Sequence, residues 1–149
     1  MNFYKHFLGD YQAATAHLSL VEHGAYRQML DCFYAMERPL PADRNDLYRL
    51  TRAGDKAEKR AVDKVAREFW TPMPGSCSEL HDLVGCVTDE DRALLAKAVT
   101  PQWCEGGLIN IRAVWELMDY TKRRESNREV AISREQKRRE KRLALVGAA

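Results

Sequence analysis

The chain has 149 residues, 45% hydrophobic and 31% charged, with three Trp, six Tyr and four Phe; that is enough apolar mass for one domain with a real core, and it excludes a chain that is disordered throughout. No apolar run approaches the length of a spanning helix, and no apolar stretch follows a positive patch at the N-terminus, so a cytoplasmic protein with no membrane partner is expected. The formal net charge of +2 hides an asymmetry: residues 1–120 carry 14 basic and 18 acidic side chains, a net −4, whereas residues 121–149 carry 10 and 4, a net +6.

In chain order, Ser19-Leu-Val-Glu22 is a capping box, in which the hydroxyl accepts from a free amide of the first turn and the glutamate reaches back to the cap. A helix therefore starts there. Its apolar stripe (Val21, Ala25, Met29, Phe33, Met36) runs until Pro39 and Pro41 end it, as a core-facing helix. Asp43 or Asn45 caps a short second helix carrying Leu47 and Leu50, and Ala53-Gly54 ends it with a left-handed glycine turn. Asp55-Lys-Ala-Glu58 repeats the cap for a third helix, through about Phe69. Two helices joined by a short turn containing glycine form a helix-turn-helix pattern.

Residues 73–106 read as an insertion with one helix, about Asp89 to Ala98, capped by Thr88. Leu108 to Arg112 (LINIR) is the best strand candidate; paired with the extended segment near Trp70 it would form a β-hairpin wing. From Ala113 a further helix begins, and it loses nearly all apolar residues between Thr121 and Glu129. The expected architecture is mainly α: a winged helix-turn-helix over residues 1–118, with the inserted helical segment within or next to the wing, and a basic helical or partly disordered tail over 119–149.

Four residue sets carry chemistry. On the third helix, Lys56, Arg60, Lys64 and Arg67 fall within roughly 80° of one another at about 100° per residue, with Lys59 beside them and Ala61, Val62, Val65 and Phe69 opposite. Any amphipathic helix needs a polar face, but the second helix of a helix-turn-helix is the one that enters a major groove. Arg49 and Arg52 on the preceding helix would then hold flanking phosphates, and Asn110 and Arg112 would lie on the wing. In the tail, Lys122, Arg123, Arg124, Arg128, Lys137, Arg138 and Arg139 supply sequence-independent attraction to phosphate, without the aromatic interleaving of a single-strand platform. Cys77, His81, Cys86 and Cys104 are zinc-type ligands at a spacing that matches no standard finger, so no cofactor is expected and zinc is the minor alternative. Gly-rich phosphate loops, G-x-S-x-G and HExxH are all absent, so no catalysis is expected.

The N-terminal half also carries a resemblance. Met1-Asn2-Phe3-Tyr4, Gly9-Asp10-Tyr11, Thr15-Ala16-His17-Leu18-Ser19, Glu22-His23-Gly24-Ala25-Tyr26, Leu30-Asp31 and Glu37-Arg38-Pro39-Leu40-Pro41 resemble the opening of the YdaU-like family of prophage-encoded proteins. The likeness is dense over residues 1–70 and resumes at Asn110, Arg112, Asn127-Arg128-Glu129 and Ala131, while residues 73–106 depart from the pattern. The resemblance implies a winged-helix domain associated with phage replication initiation, related in architecture to replisome organisers that bind origin DNA and recruit a helicase or its loader. It supplies no catalytic residues. Duplex DNA is the expected partner, with a phage or host replication protein second; the alternative function is an adaptor that docks such a protein through the same fold.

Overall fold

The computed structural model describes residues 7–100, 103 and 106–147. It is mainly helical: α1 (Leu8–Thr15), α2 (Leu20–Met36), α3 (Arg44–Thr51), α4 (Lys56–Phe69), β1 (Thr71–Pro72), α5 (Cys77–Val84), α6 (Asp89–Ala98), β2 (Leu108–Ile109) and α7 (Ile111–Gly147). Most of the starts follow from local capping chemistry. Ser19, Asp55 and Thr88 each accept from the third residue of their helix while Glu22, Glu58 and Asp91 return to the cap amide, and Asp43 accepts from the Asp46 amide.

The core gathers around Phe33 of α2, which is fully buried. Its ring meets Tyr34, Trp70 and Trp103 edge-on, at centroid separations of 5.8, 5.7 and 6.0 Å. Trp103 comes from beyond α6, and its indole N–H donates to the Glu37 carbonyl at 3.0 Å, satisfying the end of α2. Val62 and Val65 of α4, with Val114, Leu117 and Met118 of α7, complete the apolar centre. α4 packs chiefly on α2 and α3, whereas α5 and α6 pack on α7.

β1 and β2 pair antiparallel, Thr71 opposite Ile109 and Pro72 opposite Leu108. Leu40 adds a bridge on the far side of β2, exchanging bonds of 2.9 and 2.8 Å with Leu108. Pro72, which has no N–H to give, lies on an edge strand where that is tolerated. The pairing of the Trp70 segment with 108–109 matches expectation, but the strands are two residues each and the whole insertion connects them, in place of a tight hairpin.

The strand expected over 108–112 stops at Ile109 because Asn110 turns the chain into α7. Its side-chain oxygen accepts from the Ala113 amide at 3.0 Å and its amide group donates to the Phe69 carbonyl at 2.9 Å. Three further differences are physical. α1 and α5 were not expected, and α5 is capped by Ser76 accepting from the Glu79 amide. The turn after α3 takes its left-handed residue at Arg52 (φ 60°) and not at Gly54, the Ala53 amide closing onto the Tyr48 carbonyl at 2.9 Å. The tail is not a separate element, since α7 continues unbroken from the core to Gly147.

Candidate nucleic-acid interface

α3 and α4 meet at the corner made by residues 52–55. Asp55 accepts from the Ala57 and Glu58 amides at 2.8 Å each, and Glu58 accepts from the Gly54 amide at 2.7 Å, so the free amides of this corner are consumed internally. What the corner offers a ligand is side-chain charge. Lys56, Arg60 and Arg67 form an exposed line along the outer face of α4, and among the described residues none of them makes an ion pair. Ala61, Val62 and Val65 are buried on the opposite face, as their periodicity demands.

The other cations expected on this face are distributed differently. Lys64 turns to the start of α2 and pairs with Glu22 at 2.9 Å, so it is a packing contact. The Ser19 backbone amide, followed by the Lys64 ammonium, holds the Glu22 carboxyl below its ordinary range. Lys59 lies half-buried with its ammonium 5.7 Å from the centre of the Tyr48 ring. Arg49 pairs with Asp46 one turn earlier, and Arg52 is exposed at the corner.

Asp63 stands four residues before Arg67 on the same helix, but Arg44 takes it at 3.2 Å and the Tyr48 hydroxyl donates to it at 2.8 Å, which raises the pKa of that phenol. The one carboxylate on the outward stripe is thereby neutralised from α3, and Arg67 is left available. Arg44 is the member of this surface that the sequence reading does not single out. Its signal was an arginine in the first turn of α3, where a cation opposes the helix dipole unless it has a partner elsewhere.

Two hollows flank the stripe. One, about 470 Å³, lies between α3 and the corner and is lined by Asn45, Tyr48, Arg49, Arg52, Gly54 and Lys59, three cations with no carboxylate. The other, about 320 Å³, has an apolar floor including Leu47, Ala66, Trp70 and Leu108, with Arg44, Asp63 and Arg67 on its walls. A polyanion laid along α4 would meet positive charge on both sides.

The wing residues are corrected. Asn110 is buried with both side-chain polar atoms bonded internally, so it is no surface contact. Arg112 lies in the first turn of α7, paired with Asp10 at 3.3 Å and Glu116 at 3.7 Å, with its guanidinium 5.5 Å from the Phe7 ring centre.

In the tail, the cations nearest the core are engaged. Lys122 bonds Glu90 at 2.8 Å, which raises its pKa; Arg123 pairs with Asp119 at 3.0 Å, and Arg124 with Glu37 at 3.7 Å. Beyond them Arg139 approaches Glu135 at 4.0 Å, while Arg128, Lys137 and Arg138 have no ion pair among the described residues.

Of the zinc-type set, Cys104 and the Cys77 side chain lie outside the described residues. His81 is half-buried; Cys86 is buried, its thiol pushed up by desolvation. Among the described residues no three His, Cys, Asp or Glu side chains gather as a metal site, and no helix is long and apolar enough to cross a membrane.

Residues 2–77, half of the chain, match the family model described as a protein of unknown function, DUF1376. The chain belongs to this family. The DUF1376 match covers α1 to α4 and β1, hence the whole helix-corner-helix, and ends at the start of α5. No curated protein and no solved structure matches this DUF1376 chain.

Proposed function

We propose that this DUF1376 chain is a non-catalytic duplex-DNA-binding protein of winged helix-turn-helix type, with α4 as the helix that approaches the groove and a role in prophage replication or its regulation. One observation carries the reading: Lys56, Arg60 and Arg67 lie exposed on the outer face of α4 with no ion pair among the described residues, a face that α5 and α6 leave uncovered by packing on α7 instead. The order α2, Leu40 bridge, α3, α4, β1, β2 supports the winged form, and the resemblance to the YdaU-like family supports the phage context. Phosphate neutralisation supplies most of the affinity in such an interface.

The test is fluorescence anisotropy of a labelled random duplex between 50 and 300 mM salt. Arg60→Ala and Arg67→Ala should each reduce the magnitude of the log K against log salt slope by about 0.9, which is roughly eight-fold in affinity at 0.1 M. Lys64→Ala, whose ammonium belongs to Glu22, should leave the slope unchanged. A slope untouched by the two arginines refutes the assignment.

A second reading, a protein-docking adaptor, is favoured by the far side of the same helices. There a hollow of about 340 Å³ sets Val21, Ala25, Ala53 and Val62 beside Gln28, Arg52 and Glu58, and Leu20, next to Val21 in the chain, is exposed. A partner retained from nuclease-treated lysate by a variant that no longer binds DNA would support it.

A further inference from the structure

Past its contacts with α6 and the Arg124–Glu37 pair, the described part of α7 turns to solvent: from Ser126 to Arg142 every side chain is exposed. At about 100° per residue, Asn127, Val130, Ala131 and Arg134 fall on one face, and Lys137, Arg138, Lys141 and Arg142 continue that face within an arc of roughly 140°. The three carboxylates of this stretch, Glu129, Glu135 and Glu140, all lie outside the arc. A helix kept soluble merely by its charges alternates sign along a face and ties the charges into i,i+4 pairs. Here the pairing, Arg139 with Glu135, is on another side, and the arc bears a single sign. The arc also points away from the side on which Lys97 and Glu90 of α6 grip Glu125 and Lys122, so the protein's own body does not cover it.

The residue types in the first half of the arc are those that read base edges. Asn can bond adenine through two contacts, Arg can do the same with guanine, and small apolar side chains meet the thymine methyl. Val130 is half exposed with no core to explain it. A helix of about 10–12 Å diameter fits a major groove about 12 Å wide, and from Asn127 to Arg142 it runs about 22 Å.

We infer that the outer half of α7, residues 127–142, is a second duplex-reading helix, in which Asn127, Val130, Ala131 and Arg134 face base edges and Lys137, Arg138, Lys141 and Arg142 hold the flanking phosphates. The inference rests on the DNA-binding reading of the chain and adds to it the element that confers sequence preference.

The test uses the full-length protein. A preferred duplex is selected from a randomised pool, and anisotropy then compares that duplex with random duplex for the wild type, Asn127→Ala, Arg134→Ala and Arg60→Ala. Alanine is a good helix former and these positions are exposed, so the fold is not at risk. Asn127→Ala carries no charge change: it should lower the preference for the selected duplex about ten-fold while leaving random-duplex affinity and the salt slope as in the wild type. Arg134→Ala should lower both preference and slope. An unchanged preference in Asn127→Ala, or binding of an A-form RNA duplex as tight as that of the selected DNA, overturns the inference. If Arg60→Ala still weakens random-duplex binding in that case, the α4 reading survives. If Arg60→Ala is silent while Asn127→Ala acts, the outcome is reversed. A wild type that binds no duplex ends both.

Discussion

Replacing Asn110 by alanine separates two roles that a surface asparagine near a strand could have. The side chain joins the last carbonyl of α4, at Phe69, to the first turn of α7, through bonds of 2.9 and 3.0 Å. Loss of the cap costs about 1 kcal/mol. The part-buried Phe69 carbonyl, stripped of that donor, adds up to about 1–3 kcal/mol. The sum is on the order of 2–4 kcal/mol, and a chain near 150 residues loses about 2–4 °C in Tm per kcal/mol, so the variant should melt about 5–15 °C lower. Circular dichroism melts and urea titrations measure this directly. Below the transition, the variant's duplex affinity and salt slope should equal those of the wild type. A variant with unchanged Tm and weakened DNA binding would refute the reasoning and return Asn110 to the contact surface.

Two further outcomes follow from the same geometry. Gly107 has φ +129°, and an added Cβ would lie 2.5 Å from the carbonyl oxygen of Leu40, which is held in the bridge to Leu108, and 2.9 Å from the Pro39 Cβ. Gly107→Ala should therefore destabilise by more than about 2 kcal/mol, read as a lowered urea midpoint; a wild-type midpoint would show that the bridge yields. The Glu22 carboxyl is held below its ordinary value of 4.5 in the folded chain, so its contribution is complete above that pH and is lost as pH falls through the lowered folded value. Stability should decline on acidification from about pH 4.5 downward, and Glu22→Gln, which cannot titrate, should show a shallower decline; identical acid limbs would remove Glu22 from the account.

Much of the helical frame was legible because capping is local chemistry. A serine, aspartate or threonine three residues before a carboxylate names its helix without knowledge of the rest, and Ser19, Asp55 and Thr88 did so. The same rule applies to Ser76 and Glu79, which the sequence reading leaves inside the insertion without a helix of their own. α1 has neither a side-chain cap nor an amphipathic pattern, and it is held from outside itself by Tyr11, whose hydroxyl bonds His23 at 2.7 Å and whose ring leans on Tyr26.

The cationic stripe was visible as a periodicity, but the identity of its free members was not. Whether a cation is available to a ligand depends on carboxylates far along the chain, 42 residues from Lys64 in the case of Glu22 and 19 from Arg44 in the case of Asp63. Asn110 misled for a related reason: a β-branched run invites extension, and only the tertiary position of the Phe69 carbonyl reveals a cap.

The insertion leaves the sheet at Met73 and rejoins it at Gly107, and the Met73 amide bonds the Gly107 carbonyl at 2.7 Å. The two ends of that detour are thus neighbours, so its length can double for only about 0.6 kcal/mol of closure entropy. Besides the packing of α5 and α6 on α7, one side chain anchors it at the centre of the core: Trp103, fully enclosed, plugs the space against Phe33. A relative could exchange these two helices for a larger module, provided the replacement still covers α7 as Leu80, Val84 and Leu95 do and delivers an aromatic stopper to that socket.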